Sequence, residues 1–132
     1  MYKGAVSMPP VRGLRHLALK VRDVRLATRF YCDTFGMRVV WEPDAENVYL
    51  SSGSDNLALH HDAGVGPGGS LDHLGFLMAS ADDVFTAAEA LRGRGIPLVH
   101  EPRTHRDGSV SCYLRDPDGN LVQILWLPDV PA

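Results

Sequence analysis

An α+β fold of two βαβββ modules in tandem is predicted by three features of this 132-residue chain. First, a strand pattern, a helix pattern and three more strand patterns occur in the same order twice. Second, equivalent residues recur at similar spacing: His73 follows His16 by 57 positions, and Tyr113-Leu114 follows Tyr49-Leu50 by 64. Such spacing marks an internal duplication with small insertions. Third, each repeat has one helix and four strands, too little to bury its own sheet face, so the two must pack or pair. A hydrophobic content of 45% at this length supports one compact domain rather than two large independent ones. The expected division is a lead-in over residues 1–13, a first module over 14–62, a linker over 63–70, a second module over 71–127 and a tail over 128–132.

The lead-in contains Pro9 and Pro10, which argue against helix. Over residues 14–21, Leu17, Leu19 and Val21 alternate with His16, Ala18 and Lys20, the pattern of a strand with one buried face. Asp23 is a helix N-cap, Leu26, Ala27, Phe30 and Tyr31 form an apolar stripe at helical spacing, and Gly36 is the stop. Short strands are expected over 37–41, 48–50 and 57–60. The Gly-rich stretch 63–70 is the linker, after which the pattern restarts with a strand over 71–79. Ser80-Ala81-Asp82-Asp83 resembles a capping box opening a helix through Leu91, with Gly93 and Gly95 beyond it. Strands over 97–101, 110–114 and 121–126 complete the second module.

A formal net charge of −3 with interspersed signs gives no footprint for nucleic acid or an anionic membrane. There is no apolar stretch of transmembrane length, and residues 1–10 lack the features of a signal peptide, so a cytoplasmic location is expected. Cys32 and Cys112 are too few and too unpatterned for a disulfide framework and are expected to be free thiols.

Alternation also nominates a site. His16 and His73 hold equivalent positions on the face opposite the helix-packing residues, which points both imidazoles toward one cavity. Asp116-Pro117-Asp118-Gly119-Asn120 reads as a tight turn feeding a buried strand, interrupted by Gln123 between Val122 and Ile124. A buried amide needs a partner, a ligand or a metal. Ser111 and Tyr113 share one face of their strand and are expected beside Gln123, with Tyr49 and Asn56 as first-module counterparts, as contacts for a small oxygenated molecule. Residues 101–108 are dense in ionisable groups and read as a mobile rim, with Glu101 as candidate general base and Tyr113 as a second catalytic candidate. His100 and His105 are taken as surface or loop residues, Phe30 and Tyr31 as packing residues.

His16 within Arg15-His16-Leu17-Ala18-Leu19-Lys20-Val21, Phe30-Tyr31 followed by Phe35-Gly36-Met37, His73 within Asp72-His73-Leu74-Gly75-Phe76, and the run from Asp116 to Gln123 together resemble the vicinal oxygen chelate superfamily. This group includes glyoxalases, bleomycin- and fosfomycin-resistance proteins and extradiol dioxygenases. The resemblance implies paired βαβββ modules forming a cupped, glyoxalase-like sheet around a divalent metal (Zn, Ni, Co, Mn or Fe), bound by the first and last strands of each module. Carried over by position, His16, His73 and Gln123 are the metal set, with Gln123 standing where a Glu is usual. The first-module counterpart is Ala58 or Leu59, neither of which can bind metal. Of the adjacent His60 and His61, which point to opposite faces, His60 is favoured as a compensating ligand. The resemblance further implies a homodimer or pseudo-symmetric protein, and a metal-dependent lyase, isomerase or dioxygenase acting on a small oxygenated molecule. The alternative is a resistance protein that modifies a drug or sequesters it without metal. Gln123 counts against a dioxygenase, whose iron prefers two His and a carboxylate, and the two His count against a pure binder.

Overall fold

The computed structural model describes residues 7–67 and 69–131; the start of the lead-in, Gly68 of the linker and the last residue of the tail lie outside them. The first module runs β1 (His16–Val21), α1 (Val24–Phe35), β2 (Arg38–Asp44), β3 (Asn47–Ser51) and β4 (Asn56–His61); the second runs β5 (Leu74–Leu77), α2 (Ala81–Gly93), β6 (His100–Thr104), β7 (Val110–Arg115) and β8 (Leu121–Trp126). Each forms its own four-stranded sheet, ordered β1-β4-β3-β2 and β5-β8-β7-β6, and no ladder joins the two. In both sheets the first strand lies parallel to the last, and the remaining pairs are antiparallel. The predicted tandem βαβββ architecture is what the chain adopts.

The local signals act as expected. Asp23 Oδ1 accepts from Leu26 N at 3.0 Å to start α1, which Gly36 ends in a left-handed conformation. Ser80 Oγ accepts from Asp83 N at 3.2 Å to start α2. Three strands depart from the expected ranges by as much as three residues. β2 continues to Asp44 through two register irregularities. β5 is only four residues long, so His73 immediately precedes it rather than lying within it. β6 begins at His100, so part of the predicted rim is a paired strand, and only residues 105–108 form the turn.

The modules pack through their helix-facing sides. Phe35 of α1 stacks on Phe76 of β5 with ring centroids 4.0 Å apart, and Tyr31 lies 6.2 Å from the same ring. Phe76 is paired with the buried Ile124, which identifies this as the core side of the second sheet. The turn before β8 ties across to the first module. Asp116 Oδ2 accepts from the Tyr31 hydroxyl at 2.7 Å and from Asn120 Nδ2 at 2.9 Å, while its Oδ1 accepts from the main-chain N–H groups of Asp118 and Asn120. Asp118 Oδ1 accepts from Arg22 N at 2.9 Å and Arg22 Nε at 3.1 Å. Gly119 has φ +84°, and an added Cβ would come 3.2 Å from Pro67, so both the turn and the linker crossing it require glycine. Burial, then the adjacent Asp116, pushes the Tyr31 phenol well above its ordinary pKa, so it remains a proton donor.

Tyr31→Phe is expected to cost about 1.5–3 kcal/mol, the range for a hydrogen bond to a charged group, and Asp116→Ala more because it strands several donors at once. Urea denaturation checks both; an unchanged midpoint for Tyr31→Phe would show that the bond contributes nothing. Cys32 and Cys112 are free, and burial raises both thiols above the usual range, Asp33 adding to the effect at Cys32. Both should therefore react with Ellman's reagent more slowly than a free cysteine at pH 8, and reach full reaction only after denaturation.

Candidate functional site

The side of each sheet turned away from its helix carries the candidate residues. On the first sheet, Leu19, Val21, Val48, Leu50, Leu57 and Leu59 fill the core. The alternate positions point outward: His16 beside Asn56, Ala18 beside Ala58, and Lys20 beside His60. Tyr49 lies opposite Ala58, Asn47 opposite His60, and Trp41 opposite Tyr49. Leu59 is thus a core residue, and the residue in the last-strand position on the His16 face is Ala58. On the second sheet, Gly75 pairs with Gln123, Gln123 with Tyr113, and Tyr113 with His100, a single row across all four strands. The corresponding first-module row is Ala18, Ala58, Tyr49 and Trp41.

Hydrogen bonds fix the imidazoles. His16 Nδ1 lies 2.8 Å from Asn56 Oδ1, His60 Nδ1 2.6 Å from Asn47 Oδ1, and His73 Nδ1 2.6 Å from Asp72 Oδ1. An amide carbonyl or carboxylate oxygen can only accept, so in each ring Nδ1 donates this bond, and the neutral form of that tautomer has its lone pair on Nε2. This is the arrangement of a ligating histidine with its outer partner. Tyr49 supports His16, with ring centroids 6.1 Å apart, and meets Trp41 edge to face at 4.9 Å. Tyr113 is flanked edge to face by His73 at 5.5 Å and His100 at 5.4 Å. Its hydroxyl oxygen accepts from Gln123 Nε2 at 2.8 Å.

Several expectations require correction. His16 and His73 do not share a cavity within the chain: each contacts only its own module, and the modules meet through their opposite, helix-facing sides. Among the described residues no group of three or more His, Cys, Asp or Glu is placed to hold a metal. His60 is on the His16 face, but four residues further along β4 than His16's partner Asn56, about 13 Å at the strand rise. Tied to Asn47, it belongs to a different group from His16. Glu101 lies off the face: it follows His100, which pairs with Tyr113, and its carboxylate pairs with Arg92 of α2. Ser111 lies on the Gln123 face but is only 2% exposed, covered by His105, whose Nε2 is 2.8 Å from Ser111 Oγ. The turn bearing His105 is pinned by Asp107, whose acidity is increased by hydrogen bonds from the Ser109 hydroxyl and main chain.

His100 and His105 were set aside in the sequence reading, yet both stand on the second-module face. Counting along β6 from the buried Cys112 register would have shown that His100, and not Glu101, shares the side of Tyr113. Two surface depressions, of about 330 Å³ beside Arg22 and His61 and about 280 Å³ between Phe35, Phe76 and Arg94, contain neither His16, His73 nor Gln123. Both histidine-bearing faces are open surfaces.

The fold is shared with known proteins. Residues 13–124 match the model of the Glyoxalase/Bleomycin resistance protein/Dioxygenase superfamily. A probable lactoylglutathione lyase of Synechocystis is 23% identical over 122 residues, covering 85% of this chain and 93% of that protein. Biphenyl-2,3-diol 1,2-dioxygenase 3 of Rhodococcus globerulus is 31% identical over 124 residues, covering 84% of this chain but 61% of its own length. The crystal structure of a lactoylglutathione lyase from Agrobacterium tumefaciens superposes with a TM-score of 0.74 at 24% identity, over 89% of this chain and 96% of that one. With all but the last two residues of β8 inside the matched span, this chain belongs to the glyoxalase, bleomycin resistance protein and dioxygenase superfamily.

Proposed function

We propose that the protein is a divalent-metal-dependent enzyme of the lyase or isomerase type, acting on a small oxygenated molecule, with its site assembled between two copies of the chain. The observation that carries this reading is the common setting of His16 and His73, each with Nδ1 within hydrogen-bond distance of an oxygen acceptor, which keeps Nε2 out of that bond and able to meet a metal. Gln123 fits the same donor set: Nε2 is occupied by Tyr113, while Oε1 lies toward Gly75, where a Cβ would stand 3.3 Å from it. Zn, Ni, Co, Mn or Fe is compatible with two imidazoles and an amide oxygen. When bound, such an ion polarises substrate oxygens as a Lewis acid.

The His16 face of one copy, set against the His73 and Gln123 face of another, brings the three donors together, which the outward faces of one chain cannot do. A homodimer with two such sites follows from two-fold symmetry. Tyr113 accepts from Gln123 through its oxygen, which leaves its own O–H available to donate to a substrate oxygen. Tyr49 and Trp41 close the apolar side of the site and exclude water. The two free thiols fit a reducing cytoplasmic setting. A second reading, metal-free sequestration of a planar drug, is favoured by Trp41, 53% exposed and edge to face with Tyr49.

Titration of the purified protein with Ni²⁺ decides between the two: the enzyme reading expects about one ion per chain, and no uptake at micromolar excess leaves only the binder. His16→Ala and His73→Ala should each abolish uptake. Their mixture, after subunit exchange, should recover about a quarter of the wild-type sites, because half the dimers then hold one intact site. No recovery would argue against a site shared between chains. Gln123→Glu should tighten binding roughly tenfold by adding a negative donor.

A further inference from the structure

We infer that Tyr113 is a positioning residue: its hydroxyl, by accepting from Gln123 Nε2, turns the amide so that Oε1 faces over Gly75 on the His73 side, and makes that oxygen a stronger donor. The purpose of this arrangement rests on the metal reading above, whereas the orientation does not.

A glutamine side chain has two unlike ends of nearly equal size, and only the oxygen can coordinate a cation. A free amide would present either end. Here the register places Tyr113 directly across from Gln123 on one side and Gly75 directly across on the other. Toward β5 its oxygen lies beside Gly75, where a Cβ would come 3.3 Å from Oε1 and 2.9 Å from Leu125 Cδ2. The phenol oxygen takes Nε2, which leaves Oε1 at the Gly75 end. Hydrogen bonding also acts through the amide itself. When N–H donates, electron density shifts to the oxygen, as in other polarised hydrogen-bond chains. The phenol thus offsets part of the charge lost by having Gln where a carboxylate would stand. His73 and His100, edge-on to the Tyr113 ring, hold the phenol in place.

The sign of the effect distinguishes this role from a merely structural one. Beside an amide the phenol accepts and enriches Oε1; beside a carboxylate it must donate, and so withdraws charge. Tyr113→Phe should weaken Ni²⁺ affinity about tenfold, the lower end of the range for partners of metal ligands, without changing stoichiometry. In the Gln123→Glu background the same change should leave affinity unchanged or raise it. Equal weakening in both backgrounds overturns the inference, as does no weakening when wild type binds nickel. A metal-free measurement is the side-chain ¹⁵N–¹H₂ signal of Gln123, identified by its loss in Gln123→Glu. The inference expects Tyr113→Phe to move that signal and speed its solvent exchange, and an unmoved signal overturns it. Wild-type protein that takes up no nickel but shows the tyrosine-dependent signal removes the metal reading and leaves the orientation standing.

Discussion

The structure depends on two buried carboxylates in one turn. Asp116 and Asp118 are 5% and 4% exposed, and burying an ionised group is costly unless it is fully hydrogen bonded. Both meet that condition. Asp116 accepts from its own turn and from Tyr31, and Asp118 accepts from the main chain and guanidinium of Arg22. Since Tyr31 and Arg22 belong to the first module, the turn that starts β8 also joins the modules. Among the described residues no buried side-chain polar atom lacks a partner. The joint leaves α1 against β5 and brings the helix-facing sides inward, so both histidine faces point away from it.

Outward-facing halves give the duplication a consequence beyond stability. The two cross-strand rows have diverged: Gly75, Gln123, Tyr113 and His100 on one sheet, against Ala18, Ala58, Tyr49 and Trp41 on the other. Only the tyrosine is common to both. The second row is polar and can hold or donate protons and lone pairs, while the first is small and aromatic apart from the flanking His16. A single half offers an incomplete donor set.

Much of this architecture was legible because its signals are local. Alternation at His16–Val21, the caps at Asp23 and Ser80, and the spacing of the two halves each depend on residues within a few positions, or on the chain compared with itself. Alternation also put Tyr49, Asn56, Tyr113 and Gln123 on the correct faces. It was not what nominated Glu101, which was read from the charge density of its segment; β6 pairs His100 with Tyr113, and the Glu101 carboxylate meets Arg92 of α2. Separation along a strand is a further quantity that facing alone does not give, and it sets His60 apart from His16. Where the two histidines meet is a different kind of question. Periodicity tells which side of its own sheet a residue occupies, and says nothing about which surface lies opposite.

Asp116 to Leu125 illustrates both kinds of information. Its sequence announces a turn and a strand with one polar interruption, and the turn's composition reflects the joint between modules rather than the chemistry. The interruption is tied to chemistry through its neighbours. A carboxylate at position 123 would have two equivalent oxygens and would need nothing to orient it, whereas an amide needs a partner that distinguishes its ends. Tyr113 stands directly across the ladder, with its hydroxyl oxygen 2.8 Å from Nε2. In the first module the equivalent Tyr49 faces Ala58, has no amide to orient, and packs against Trp41 instead. The same tyrosine thus serves as a hydrogen-bond acceptor in one half and as an apolar wall in the other, and the difference is set by the single residue opposite it.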